Sequence, residues 1–118
     1  MVELSGVSFG YQSDKNVLDN LNLRMEEGRF YGLLGMNGSG KTTLLKLIAG
    51  KLFAHGGEIY VDGRNLRERD VETLQKVFML PADFIFPNMS LEQFLAIYSE
   101  FYPEFRKEVL NDCLVNFE

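Results

Sequence analysis

The chain has 118 residues, of which 46% are apolar and 25% charged, with a net charge of −5. That length allows one domain or less with a modest core, and the acidic balance argues against sequence-independent nucleic-acid binding, which needs a basic face. A single cysteine, Cys113, excludes an intrachain disulfide and fits a reducing compartment, while no stretch reaches the ~18–20 apolar residues of a membrane-spanning helix.

Residues 2–9 predict a strand. Val2 and Leu4 share one phase, Val7 and Phe9 the other, and the phase change at Ser5-Gly6 predicts a bulge. Phe9-Gly10-Tyr11 closes the strand, and residues 12–16 form a polar turn. Residues 17–25 alternate, with Val17, Leu21, Leu23 and Met25 opposite Asn20, Asn22 and Arg24. This is the pattern of a half-buried strand, antiparallel to the first. Glu26-Glu27-Gly28 then turns the chain into Phe30-Tyr31-Gly32-Leu33-Leu34, short and apolar, as a buried parallel strand reads.

Gly35-Met36-Asn37-Gly38-Ser39-Gly40-Lys41-Thr42 fits G-x-x-x-x-G-K-[ST], the phosphate-binding loop. Residues 43–49 continue as a helix that stops at Gly50, so the motif has the strand, loop and helix context it requires. Glycines at 35, 38 and 40 permit backbone conformations closed to other residues and a close approach to a ligand. Loop amides and the helix N-terminus favour a di- or triphosphate. Lys41 is expected to reach the β- and γ-phosphates, and the Thr42 hydroxyl to ligate Mg²⁺.

Residues 51–57 read as a loop, and Gly57-Glu58-Ile59-Tyr60-Val61 as a strand with Ile59 and Val61 facing inward. Asp62-Gly63 is a strong turn signal. Residues 65–70 read as a charged, exposed connection, residues 71–75 as a short helix, and Val77-Phe78-Met79-Leu80 as a second buried strand closed by Pro81. Ser90 and Gln93 form a capping box before a helix whose apolar face carries Leu91, Phe94, Leu95, Tyr98 and Tyr102, ended by Pro103. A last helix begins near Glu104, with Phe105, Val109, Cys113 and Phe117 four residues apart. Cys113 is expected to be buried there as a small apolar residue. His55, the only histidine, lies in a Gly-rich loop and reads as structural or incidental.

In order and spacing, these segments resemble the ATP-binding subunit of ABC (ATP-binding cassette) transporters. Val7-Ser8-Phe9-Gly10-Tyr11 is similar to the entry strand, Leu18-Asp19-Asn20-Leu21-Asn22-Leu23 to the second strand, and residues 35–50 to the Walker A segment. Gly56-Gly57-Glu58-Ile59 and Val61-Asp62-Gly63 resemble the strand and turn that follow. The resemblance implies an α/β fold: a P-loop NTPase of the ABC type, with parallel core strands around the P-loop helix, an antiparallel β layer and the start of a helical subdomain. It implies a nucleotide-binding core over residues 1–86 and the beginning of the helical subdomain over 87–118, with the C-terminal half of the family's domain absent. Missing with that half are the LSGGQ-type signature, the Walker B aspartate and catalytic glutamate, and the switch histidine.

By the same resemblance, ATP and Mg²⁺ are the cofactors. Tyr11 would stack on adenine, a flat ring at a strand end offering a π-face to a base, with Val17 near the same base. Gly35, Asn37, Gly38, Ser39, Gly40, Lys41, Thr42 and Thr43 would hold the phosphates, with Lys41 as the catalytic residue present and Thr42 as the metal ligand. The glutamine that usually follows the strand over residues 77–81, a Mg²⁺ ligand and sensor of the transmembrane partner, is replaced by Ala82, with Asp83 next. The implied partners are a transmembrane permease subunit, docking around residues 82–95, and a second ATP-binding subunit, head to tail. The implied place is the cytoplasm, against the inner face of the cell membrane, since residues 1–5 carry no basic segment leading an apolar run. Full-length protein would be an ATPase, and this piece alone would bind ATP with little turnover. The alternatives are a soluble ABC-type ATPase acting on ribosomes or DNA, and a module that binds nucleotide without hydrolysing it.

Overall fold

The computed structural model describes residues 1–83 and 85–116. Two compact units are present, Met1–Pro81 and Ala82–Glu118. The first is built on a four-stranded antiparallel sheet in the order β2-β1-β3-β4, from β1 (Val2–Phe9), β2 (Leu18–Met25), β3 (Gly56–Val61) and β4 (Arg64–Asn65). One helix, α1 (Lys41–Ile48), lays its apolar stripe on it. Leu4, Val7 and Phe9 of β1, Ile59 and Val61 of β3, Leu44 and Leu47 of α1, and Leu66 are all buried together. Leu47 is completely sealed from solvent.

The bulge in β1 lies where the change of phase places it. Register shifts occur between Leu4 and Val7 against β2 and between Ser5 and Ser8 against β3, with Gly6 at φ 60°. The freed Gly6 amide donates to Asn22 Oδ1 at 2.9 Å, and the Asn20 amide donates to Ser8 Oγ at 2.9 Å. The bulge therefore satisfies its backbone with side chains and puts Leu4 and Val7, three apart, on one buried face. In β2, Leu21, Leu23 and Met25 are half-buried and Asn22 and Arg24 exposed, as the alternation requires. Asp62 (φ 51°) and Gly63 (φ 78°) form a two-residue turn of type I′ between the paired Val61 and Arg64. Beyond it, Leu66 opens a single 3₁₀ turn (Leu66–Glu68) and is buried, a correction to the exposed connection expected over residues 65–70. Helix α2 (Val71–Gln75) is capped by Asp70, whose carboxylate accepts from the Thr73 amide and hydroxyl.

The expected parallel core strands are corrected. Residues 30–34 and 77–80 form no strand and belong to no sheet among the described residues. Phe30, Leu34, Phe78 and Leu80 are exposed. A parallel strand is held on both edges by neighbours and covered on both faces. The antiparallel sheet pairs with neither segment; residues 30–34 stay exposed, and of residues 77–80 Val77 packs half-buried against the core, so apolar sequence alone does not bury the rest.

In the second unit, Ser90 caps α3 (Leu91–Tyr98) through the full capping box with Gln93. A 3₁₀ turn (Ser99–Phe101) follows, shortening the helix expected to reach Tyr102. Phe94 stacks on Tyr98, with ring centroids 4.2 Å apart. Helix α4 (Lys107–Asn116) buries no residue, and Cys113 on it is exposed. The expected burial of Cys113 is thus corrected: spacing of four gives a helix a stripe, but only a packed neighbour buries it. Phe117, expected on the same stripe, lies outside the described residues.

Candidate functional site

The loop before α1 is shaped by glycine. Gly38 and Gly40 lie in the left-handed region, at φ 84° and 91°. Gly40 is also the N-cap of α1, and no side chain caps that end. The first amide to find an acceptor within the helix is Leu44, donating to Gly40 O at 2.8 Å. The amides of Lys41, Thr42 and Thr43 therefore have no acceptor in their own helix. With no acidic side chain in the first turn, this end of α1 favours an anion through its free donors and its dipole.

Lys41 braces the loop from inside. Its Nζ donates to Gly35 O at 2.6 Å and to Met36 O at 2.7 Å. An ammonium has three donors, so one remains for a ligand. A Cβ at Gly35 would stand 2.7 Å from Ser39 Oγ, so that hydroxyl would have to turn aside.

The tip of the β1–β2 hairpin supplies the facing wall. The Val17 amide donates to Phe9 O at 2.7 Å, closing the loop over residues 10–16. The Tyr11 and Phe9 rings meet T-shaped, with centroids 5.1 Å apart and planes at 88°. Its hydroxyl lies 3.1 Å from Thr43 Oγ1, although the ring itself is 62% exposed and has a face to offer. Tyr11, Val17, Asn37, Gly38, Gly40, Lys41, Thr42 and Thr43 line one open cavity of about 280 Å³. A second hollow of about 300 Å³ shares Tyr11, Val17 and Gly38, and adds Ser39, Gln12, Lys15 and Asn16. Gly35 stands behind this wall, where its carbonyl holds Lys41.

A family model described as ABC transporter matches residues 18–114. The chain belongs to the ABC transporter family. Its fold, an antiparallel sheet with helices, matches part of the family's ATP-binding domain. A structure described as the ATP-binding subunit of an ABC transporter superposes with a TM-score of 0.78 at 25% identity, over 92% of this chain and 45% of that one. An ABC transporter ATP-binding protein from Pyrococcus furiosus gives 0.68 at 36% identity, over 85% and 48%. The ATP-binding cassette MJ0796, a dimer bound to ADP and phosphate, gives 0.56 at 34% identity, over 64% and 34%. The chain thus spans less than half the length of each of these ABC proteins.

Reading the ABC motifs alone misses three things the structure adds. Gln12, Lys15 and Asn16 reach the second hollow, but as sequence they are only a polar turn. The bond between Tyr11 and Thr43 spans 32 positions and has no local signal. The carbonyl anchors of Lys41 depend on how the loop folds, not on which residues it contains. The His55 ring lies 5.0 Å from Phe9 and its amide donates to Ser8 O.

Perturbed acids lie away from this site. Hydrogen bonds from Lys76 and from the N-terminal ammonium draw the Asp62 carboxyl down to about 2. Hydrogen bonds from Thr73, then Arg64, hold Asp70 below its ordinary value. Among the described residues, no group of three or more His, Cys, Asp and Glu side chains is placed to hold a metal. At the loop, Thr42 offers a single hard oxygen.

Proposed function

We propose that this chain is the nucleotide-gripping part of an ATPase subunit that powers a membrane ABC transporter. The observation that carries the reading is convergence. A tyrosine at a hairpin tip and an amide-rich, lysine-braced loop line one cavity. The two walls suit the two ends of ATP, a flat base and a polyanionic tail. Tyr11 stacks on adenine with Val17 beside it. Asn37, Gly38, Ser39, Gly40, Lys41, Thr42 and Thr43 hold the phosphates, with Gly35 supporting Lys41. Mg²⁺, when bound, neutralises charge on the phosphates; Thr42 is the residue here that would touch it. Hard cations of this size keep several waters and bind through phosphate oxygens with few protein ligands, so one hydroxyl suffices on this side.

Turnover belongs to the longer protein on this reading. We assign residues 1–86 to the nucleotide-binding core and 87–118 to the start of a helical subdomain. A transmembrane permease and a second ATP-binding subunit are the partners, and this chain sits in the cytoplasm at the inner face of the membrane. No helix of the described residues is long and apolar enough to cross a membrane. The family match and the ATP-bound state named for an Atm1-family ABC exporter, 30% identical over 54% of this chain, support the nucleotide.

The test is titration calorimetry with ATP and Mg²⁺, followed by isolation of the full-length protein from membranes. Saturable binding and a co-purifying membrane protein are expected. No binding at millimolar ATP overturns the nucleotide reading. Binding of ATP with salt-sensitive association to ribosomes or DNA overturns the transport reading alone.

A further inference from the structure

We infer that the Tyr11 hydroxyl is a positioning group for the phosphate end of the site, turning the Thr43 hydroxyl proton toward the ligand. This goes beyond a ring stacked on a base, and it rests on the polyphosphate reading of the P-loop cavity. Tyr11 Oη and Thr43 Oγ1 are 3.1 Å apart. Thr43 is 5% exposed and sits in the first turn of α1 beside Lys41 and Thr42. Both partners line the same cavity. The Tyr11 ring packs T-shaped against Phe9, itself buried, with ring centroids 5.1 Å apart.

Proton counting sets the direction of the bond. Each hydroxyl carries one hydrogen and can also accept. A polyphosphate in the cavity accepts only. If Thr43 donated to Tyr11, its lone pairs would face the anion and repel it. If Tyr11 donates to Thr43, the Thr43 proton is free to reach a phosphate oxygen, and both hydrogens have acceptors. The chain Tyr11 to Thr43 to phosphate is then the satisfied arrangement, and each bond polarises the next. Without the phenol, a threonine in a helix can turn its proton back to a carbonyl three or four residues earlier. The hydroxyl at the hairpin tip thus makes Thr43 a donor pointed at the ligand.

The base and the phosphate are separable in the test. Inorganic tripolyphosphate has no base, and phenylalanine keeps the ring while removing only the oxygen. Affinities for tripolyphosphate and for ATP are measured by calorimetry for the wild-type chain, Tyr11→Phe, Thr43→Val, the double variant and Thr43→Ser. Tyr11→Phe should weaken both ligands by about three- to tenfold, the order expected for one ordinary net hydrogen bond. In the Thr43→Val background it should add nothing, and Thr43→Ser should stay close to wild type. Tripolyphosphate bound equally by Tyr11→Phe and wild type overturns the inference, as does full additivity in the double variant. Should Thr43→Val fail to fold, Tyr11→Phe against wild type decides, since it changes one atom of an exposed ring. A wild-type chain that binds neither ligand overturns the nucleotide reading and this inference together; wild-type binding with an unaffected Tyr11→Phe overturns this inference alone.

Discussion

Lys41→Ala separates the two tasks of the P-loop lysine. In the structure its ammonium is shared between Gly35 O at 2.6 Å and Met36 O at 2.7 Å, both solvent-accessible bonds. When the ammonium is removed, water can take over these carbonyls, so the loss of folding stability should stay under about 1 kcal/mol. The ligand has no such substitute. A hydrogen bond to a charged group is worth about 1.5–3 kcal/mol, so ATP affinity should fall by about ten- to a hundredfold. The chain is already at −5, and losing a cation at the phosphate end adds to the repulsion of a polyanion. Arginine should restore little, because a planar fork cannot place one nitrogen between two carbonyls as an ammonium does. The assay is calorimetry with ATP near 0.15 M salt, beside urea unfolding of the same samples. A folded Lys41→Ala chain with wild-type affinity would refute the reasoning, since the phosphates would then lie elsewhere.

Two further outcomes follow from the frame of the fold. Gly57 holds φ 74°, and a Cβ there would overlap backbone atoms of Ser5 and Gly6 in the neighbouring bulge; Gly57→Ala should cost about 3 kcal/mol, combining left-handed strain with a clash the backbone must open to relieve, and an unchanged urea midpoint would contradict it. The Asp62 carboxyl, drawn from 3.8 to about 2 by Lys76 and the N-terminal ammonium, stabilises the folded state fully above about pH 4 and loses that contribution as pH falls toward about 2. Since Asp62 is 38% exposed, screening keeps the effect below about 1 kcal/mol. Asp62→Asn, which retains the left-handed turn position, should flatten stability between pH 4 and 2, and an acid-unfolding curve identical to wild type would exclude the ion pairs as its source.

Legibility in the sequence followed locality. The β1 bulge, the type I′ turn at Asp62-Gly63, helix α2 and the capping box at Ser90 and Gln93 each depend on residues a few positions apart, and each forms where the pattern places it. Residues 30–34 and 77–80 fail for the opposite reason. Their apolar runs report what the segments would bury in a complete parallel sheet, and their burial depends on neighbours that no local pattern encodes. Cys113 fails in the same way: the stripe on α4 exists, but nothing among the described residues covers that position. Leu66 shows the reverse, a single apolar residue in a charged run that is buried because the hairpin turn returns it to the core.

The site itself is legible by halves. The loop motif predicts a phosphate cradle from spacing alone, and the aromatic residue at the strand end suggests a base. Neither predicts that the two are fitted to each other. The link is Gly40. Its conformation, φ 91°, already favours glycine, and the space around it is tight as well, because a Cβ would stand 3.0 Å from Val17 Cγ1 and 3.1 Å from Leu18 Cδ2. The missing side chain lets the hairpin lie directly on the start of α1. That contact brings Val17 into the cavity and Tyr11 within hydrogen-bonding distance of Thr43. A glycine usually explained by the ligand is thus also explained by the hairpin. A larger residue at 40 would disturb the phosphate loop and displace the wall that faces it, so base and phosphate contacts should be lost together.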